Sequence, residues 1–177
     1  MTNRKKILAI SGSTKVNSTN ELILRMIAKL YGESLEFEIF TGIAELPHFN
    51  SDLDNDEPPA TVQNFRALIE AADGVIIATP EYVFSLPGSL KNALEWLAST
   101  TIFSNKPAAF IIAGASGEKA FVSLDLILKT IGAKIGKQSK LIIKGAKGKI
   151  NATGEITDQI LLQEIDHLME AFMGAFN

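Results

Sequence analysis

The sequence contains no cysteine, which removes disulfides, thiolate nucleophiles, iron–sulfur clusters and cysteine-based zinc sites together. Its two histidines, His48 and His167, stand far apart, so a histidine-rich metal site is not expected either. No apolar run approaches the roughly 18 residues of a membrane span. The basic start "MTNRKKILAI" meets Ser11 and Gly12 after a four-residue apolar stretch, well short of the roughly 7–15 residues of a signal-peptide core. An excess of one charge is also missing. The formal net charge is −3 over 177 residues, which leaves no electrostatic footprint for nucleic acid. What is present is ordinary globular composition, 46% hydrophobic and 21% charged, with length enough for a substantial core. The expectation is a single cytoplasmic domain over residues 1–177, with neither nucleic acid nor membrane as a partner.

Hydrophobic periodicity alternates between two patterns. "KKILAIS", "DGVIIATP", "KPAAFIIAGAS" and "QSKLIIKG" carry short continuous apolar runs, as strands buried on both faces do. "SLEFEIF" alternates apolar and polar residues, the pattern of a strand nearer a sheet edge. Between the strands lie helical repeats: Leu22, Ile23, Met26, Ile27 and Leu30, stopped by Gly32; Val62, Phe65, Leu68 and Ile69; "LPGSLKNALEWLAS", with Pro87 near its first turn; "EKAFVSLDLILKTIG", closed by Gly132; and a C-terminal helix from "EITDQ" onward. Five strands alternating with five helices predict an α/β fold: a five-stranded parallel sheet in the order 2-1-3-4-5, with helices on both faces. The polar stretch Glu45 to Pro59 is longer than most connections, and such loops are usually functional or mobile.

In an open α/β sheet the ligand lies outside the carboxyl ends of the strands, at the switch point. Three stretches fall there: "SGSTKVNSTN", "TPEYVFSLPG" and "GASGEKA". The first has far more small and hydroxylated residues than a strand-to-helix turn requires. A helix N-terminus with Ser13, Ser18, Thr19, Asn20 and Lys15 around it suits a phosphate or another dianion. Ser18 to Glu21 also matches a capping box that only satisfies the helix end, although such a cap does not account for the five residues before it. Neither a Walker A loop nor a Rossmann G-x-G-x-x-G is present, so a single terminal phosphate fits better than a pyrophosphate. In the second stretch Pro80 and Pro87 rigidify the chain, and Tyr82 and Phe84 offer aromatic surface to a flat heterocycle or simply pack the loop. The small residues from Gly114 to Gly117 let backbone approach a ligand closely.

These residues resemble the NADPH-dependent FMN reductases of flavodoxin-like fold, a family that includes quinone, azo-dye and chromate reductases. The family's first-loop pattern G-S-x-R-x-x-S-x-N is met by Gly12, Ser13, Lys15, Ser18 and Asn20, with lysine for arginine. Its longer pattern P-E-Y-N-x-S-x-P-G-x-L-K-N-A-x-[DE]-W is met by Pro80, Glu81, Tyr82, Ser85, Pro87, Gly88, Leu90, Lys91, Asn92, Ala93, Glu95 and Trp96, with Val83 in place of asparagine. "LPHFN" and "TGEITDQ" are similar to two further family segments, and "GASGEKAF" lacks the usual glycine pair.

The resemblance implies a flavodoxin-like sandwich that binds FMN and accepts hydride from NADPH or NADH. The hydride would then pass to a small acceptor (quinone, azo compound, metal oxyanion or free flavin), both substrates using one flavin face in turn. The implied cofactor residues are Ser11, Ser13, Lys15, Ser18, Thr19 and Asn20 in the first loop. Pro80, Glu81, Tyr82, Val83 and Phe84 follow in the second, and Ala115, Ser116 and Gly117 in the third. No catalytic residue and no metal ligand is expected, because the cofactor carries the redox chemistry. Glu81 reads as a cap for backbone N–H groups rather than a proton donor. His48 reads as a solvated loop residue with a lesser claim on the flavin. Lys144, Lys147 and Lys149 either form a solvated turn or meet the 2′-phosphate of NADPH. The apolar set Leu86, Leu90, Leu94, Trp96 and Leu97 marks either a dimer interface, within a homodimer or tetramer, or a well-buried core helix. The alternative functions are a flavodoxin-like electron carrier and a flavin-dependent sensor.

Overall fold

The computed structural model of the protein describes residues 4–151 and 156–176, with the side chain of Lys147 excepted. Part of "TGEITDQ" lies outside the described residues. The chain runs β1 (Lys5–Ser11), α1 (Thr19–Tyr31), β2 (Leu35–Phe40), α2 (Ala60–Ala71), β3 (Gly74–Thr79), α3 (Gly88–Glu95), β4 (Ala108–Gly114), α4 (Glu118–Thr130), β5 (Lys140–Lys144), α5 (Ala146–Lys149) and α6 (Gln159–Met173). The five strands form one sheet in the order β2-β1-β3-β4-β5, and every pairing is parallel. The order and the flavodoxin-like class expected from the sequence therefore hold.

Alternation along the inner strands sorts the core into two layers. Leu8 and Ile10 of β1, Val75 and Ile77 of β3, and Phe110 and Ile112 of β4 pack with Val62 and Phe65 of α2, Leu90 of α3 and Leu124 of α4. Ile7, Ala9, Ile76, Ala78, Ala109 and Ile111 face the other way, onto Ile23 and Ile27 of α1 and Leu161, Ile165 and Phe172 of α6. This two-sided burial is why those strands read as unbroken apolar runs. β2 sits at an edge, and its half-exposed Phe37 and Ile39 explain the alternating pattern of "SLEFEIF".

Two readings need correction. The lysine-rich turn after β5 contains a four-residue helix, α5, which no periodicity of that length could signal. The apolar surplus around α3 is consumed within the chain: Leu86, Leu90, Leu94, Trp96 and Leu97 are all buried. These residues give no support to an interface, and the core-helix alternative holds for them.

Candidate cofactor cleft

Parallel pairing brings the ends of four strands together, with Ser11 opposite Ala78, Thr79 opposite Ile112 and Gly114 opposite Lys144. Outside these ends lies a cleft of about 450 Å³, within the range of small-molecule and cofactor sites. β1 leads outward to β2 on one side and β3 lies on the other, so the cleft occupies the switch point.

The first wall is the loop from Gly12 to Ser18. It crosses close over β3, where the Gly12 N–H donates to the Ala78 carbonyl at 2.8 Å. A Cβ at Gly12 would lie 2.4 Å from Thr79 Oγ1 and 2.9 Å from Leu90 Cδ2, so only glycine fits. Buried Ser11 does not line the cleft. Its hydroxyl accepts from the Ser13 N–H and donates to the Ser13 carbonyl, fixing the loop from beneath. Ser13, Lys15, Ser18, Thr19 and Asn20 all line the cleft.

Ser18 caps α1, its Oγ accepting from the Glu21 N–H at 3.2 Å. Glu21 reaches back to the Asn17 N–H rather than to Ser18, one residue earlier than in the usual capping box. Capping and cleft-lining are therefore both properties of Ser18. The N–H groups of Thr19 and Asn20, first in the helix, have no intrahelical partner. Asn20 is buried, and its Oδ1 has no hydrogen-bond partner among the described residues. Lys15 is exposed and makes no ion pair among the described residues.

The second wall carries Pro80, Glu81 and Tyr82. Glu81 turns away from the phosphate-like corner. Its Oε1 accepts from Ser116 Oγ at 2.5 Å, and its Oε2 accepts from the Lys119 and Ala120 N–H groups, each at 2.9 Å. The Ser116 hydroxyl, the Ala120 N–H and the Lys119 N–H hold the carboxyl below the usual glutamate range. Glu81 is thus the cap of α4, as its sequence context suggested. A consequence for binding follows. Of the N-termini of α1 and α4, a side-chain anion already occupies that of α4, leaving that of α1 open for a ligand anion.

Val83 and Phe84 do not line the cleft. They form the tip of a tight hairpin closed by Tyr82 N–H to Ser85 O at 2.9 Å and Ser85 N–H to Tyr82 O at 3.0 Å. In the third loop Ala115 and Gly114 line the cleft, while Ser116 serves Glu81. Gly117, at φ 146°, faces the sheet. A Cβ there would meet Ile142 Cγ2 at 2.9 Å and Ile112 Cγ2 at 3.0 Å. Its smallness serves packing rather than approach to a ligand.

The structure adds Ala113, Gly145 and Ala146 to the lining. In the sequence the loop after β5 signals charge through its lysines rather than a wall of the cleft. Gly145, at φ 65°, donates its N–H to the Gly114 carbonyl, a strand-end glycine signal that was available. Lys144 pairs with Glu118 at 2.5 Å and Lys149 with Asp158 at 3.6 Å, so neither stands as a free cation for a 2′-phosphate. His48 is exposed and away from the cleft.

Half of the long motif does other work. Lys91 and Glu95 pair with one another at 2.6 Å on the outside of α3. Asn92 accepts from the Phe49 N–H at 2.7 Å and donates to the Pro47 carbonyl at 2.9 Å, while Trp96 Nε1 donates to the same carbonyl at 2.8 Å. Asp54, farther along that loop, pairs with Arg66 at 2.7 Å. The long loop expected to be mobile or functional is clamped at both ends.

The family profile described as NADPH-dependent FMN reductase matches residues 5–147. A quinone reductase from Escherichia coli (strain K12) is 30% identical to this chain, covering 97% of it and 95% of that protein. An NADH-dependent flavin reductase subunit 2 from Lactobacillus johnsonii is 32% identical, covering 95% of each. The solved structure of FerB, a flavoenzyme NAD(P)H:(acceptor) oxidoreductase from Paracoccus denitrificans, superposes with a TM-score of 0.86 at 29% identity, covering 97% of both chains. The chain therefore belongs to the NADPH-dependent FMN reductase family, oxidoreductases with FMN as cofactor and NAD(P)H as substrate.

Proposed function

We propose that the cleft holds FMN with its phosphate over the N-terminus of α1, and that the protein passes reducing equivalents from NAD(P)H to a small acceptor. The observation that carries this reading is Asn20. A buried amide oxygen without a donor is costly, and a ribityl hydroxyl would satisfy it. With its oxygen and nitrogen exchanged, the same amide donates to a phosphate oxygen instead. FMN offers both groups. Around Asn20, the open N–H groups of Thr19 and Asn20, the hydroxyls of Ser13 and Ser18 and the charge of Lys15, which has no ion-pair partner among the described residues, suit a dianion.

Bound FMN supplies hydride acceptance from NAD(P)H and delivery to the acceptor. The protein's part is to bind, orient and shield. Pro80 to Tyr82 and Gly114–Ala115 flank the space beside the phosphate corner and would hold the ring between them, with Ser11 and Ser116 acting through Ser13 and Glu81. Glu81, with its carboxyl held ionised by α4, moves no proton. Donor and acceptor use a single flavin face in succession in this reading. Relatives named as quinone reductase and flavin reductase support a quinone or a free flavin as acceptor. A cytoplasmic location is part of the same reading, as is a homodimer or tetramer, the latter supported by Val122 and Leu126, one turn apart on α4 and each 65% exposed.

Two measurements test the function. FMN titrated into flavin-free protein should bind at micromolar concentration or tighter. Steady-state oxidation of NAD(P)H with a quinone should then give parallel double-reciprocal lines. Failure to bind FMN would sink the reading. Intersecting lines would refute the shared face, and tight binding without NAD(P)H oxidation would favour an electron carrier or sensor.

A further inference from the structure

The turn that carries Lys15 is fastened from α1. The Ser18 N–H donates to the Lys15 carbonyl at 3.2 Å and closes the turn. Asn17, inside it, stands at φ 51°, a conformation that asparagine tolerates better than most residues. Its N–H donates to Glu21 Oε2 at 3.0 Å. Glu21 in turn accepts on Oε1 from Arg25 Nε at 2.9 Å and from Arg25 Nη2 at 2.7 Å. One carboxylate thus ties the turn to the helix, and one guanidinium holds that carboxylate in place.

Burial sets this pair apart from an ordinary helix-surface pair. Lys91 and Glu95 on α3 have side chains 47% and 42% exposed, and pairs of that kind contribute little. The Glu21 side chain is only 7% exposed. It follows Asn20, whose buried amide oxygen has no hydrogen-bond partner among the described residues. A buried anion next to a corner suited to a dianion opposes binding, because like charges repel more strongly where water is scarce. Arg25 is the ion-pair partner that cancels it. Glu21 does not line the cleft, so its influence on a ligand runs through the turn and through space. At α4 the chain spends a carboxylate on the helix end. At α1 the carboxylate is diverted to Asn17 and neutralised, and the N–H groups of Thr19 and Asn20 stay available to an outside anion.

We propose that Arg25 is a positioning residue of the phosphate corner. By pairing with Glu21 it cancels the carboxylate next to the corner, leaves that carboxylate to hold the Lys15 turn, and so sets a preference for a phosphorylated over an unphosphorylated flavin. This rests on the function proposed above. Loss of one unit charge about 8–10 Å from a phosphate dianion, in surroundings between water and protein, changes affinity by about fivefold at low salt. Riboflavin has the same ring and no phosphate, so the effect on it is small.

The test titrates FMN and riboflavin, followed by flavin fluorescence, into flavin-free wild type, Arg25→Ala, Arg25→Lys, Glu21→Gln and the double variant Glu21→Gln/Arg25→Ala. Each titration is run at about 0.01 M and about 1 M salt, where the Debye length is about 30 and about 3 Å. Arg25→Ala should weaken FMN by about fivefold at low salt and by less than about twofold at high salt, with riboflavin within about twofold throughout. Arg25→Lys keeps the charge and should keep FMN within about twofold of wild type. Glu21→Gln keeps an acceptor for the Asn17 N–H but removes the opposing charge, so FMN should bind about fivefold tighter at low salt. The double variant restores neutrality and should return FMN to within about twofold of wild type. Arg25→Ala leaves a buried carboxylate without its cation and lowers the unfolding midpoint. Should that variant not fold, the tightening in Glu21→Gln and its reversal in the double variant carry the test. A purely structural pair predicts equal losses for both flavins, no relief in the double variant and no dependence on salt; any of these overturns the proposal. If wild type fails to take up FMN, or binds riboflavin as tightly, the phosphate placement itself fails and the proposal with it. A wild type that prefers FMN, with that preference unaltered in Arg25→Ala and Glu21→Gln, removes the role of Arg25 alone.

Discussion

Replacing Glu81 by glutamine should separate the charge of the α4 cap from its shape. In the native protein the carboxylate takes three hydrogen bonds, from Ser116 Oγ at 2.5 Å and from the Lys119 and Ala120 N–H groups at 2.9 Å. A glutamine oriented with its oxygen toward α4 keeps the two backbone bonds, and its amide can donate to the serine hydroxyl. What it loses is the negative charge at the helix N-terminus, in the range of 0.3–1 kcal/mol, and the extra strength of charge-assisted bonds. Solvent reaches the carboxylate, so screening keeps the sum near ~1 kcal/mol. Glu81→Ala loses the cap itself and should cost about 2 kcal/mol. For a domain of this size, those values mean midpoint shifts of about 3 and 6 °C. The pH dependence has a definite sign. The folded carboxyl lies below the ordinary glutamate value, held there by the Ser116 hydroxyl and the Ala120 and Lys119 N–H groups. Its contribution is therefore complete above the unfolded pKa of about 4.3 and is lost as pH falls through the lower folded value. Thermal unfolding of flavin-free wild type and Glu81→Gln should differ at pH 7 and converge in acid. Identical midpoints at neutral pH, or a gap that survives acidification undiminished, would refute the assignment of Glu81 as an ionised cap.

Two further outcomes are expected. Lys15→Ala should weaken FMN by about tenfold, the low end for a charge-assisted bond because Lys15 is exposed. Riboflavin, which lacks the phosphate, should bind as before; equal losses for both flavins in fluorescence titration would remove Lys15 from the phosphate corner. Gly12→Ala should destabilise by about 1–3 kcal/mol, because its Cβ would collide with Thr79 and Leu90, and urea unfolding without loss of midpoint would contradict that packing.

The architecture was legible because its signals are local. Two-sided burial gave unbroken apolar strands such as Val75 to Ala78, and Ser18 announced the start of α1 by side-chain chemistry alone. The phosphate corner was legible for the same reason, since Ser13, Lys15, Ser18, Thr19 and Asn20 lie within one short loop. Features that depend on tertiary partners were not. The donors on Glu81 come from residues 35 to 39 positions away. The length of "LPGSLKNALEWLAS" looked like spare apolar surface because the loop that buries Trp96 arrives from Pro47. Val83 and Phe84 carried no turn signal, since nothing in a Val-Phe pair calls for two left-handed residues. Gly145 and Ala146 carry no local sign of a wall, because a parallel register that local sequence does not show brings the end of β5 beside Gly114.

The clamp on the long loop has a consequence for how the molecule breathes. Asn92 and Trp96 hold Pro47 and Phe49, and Arg66 holds Asp54, so the loop is fastened to α3 and α2 and through them to the apolar layer beneath. Segments tied in this way open with the cooperative unit that anchors them rather than by fraying alone. The loop then belongs to the rigid frame, and its Phe49 amide, bonded to Asn92 Oδ1, should exchange with solvent on the timescale of α3 despite lying in an irregular stretch.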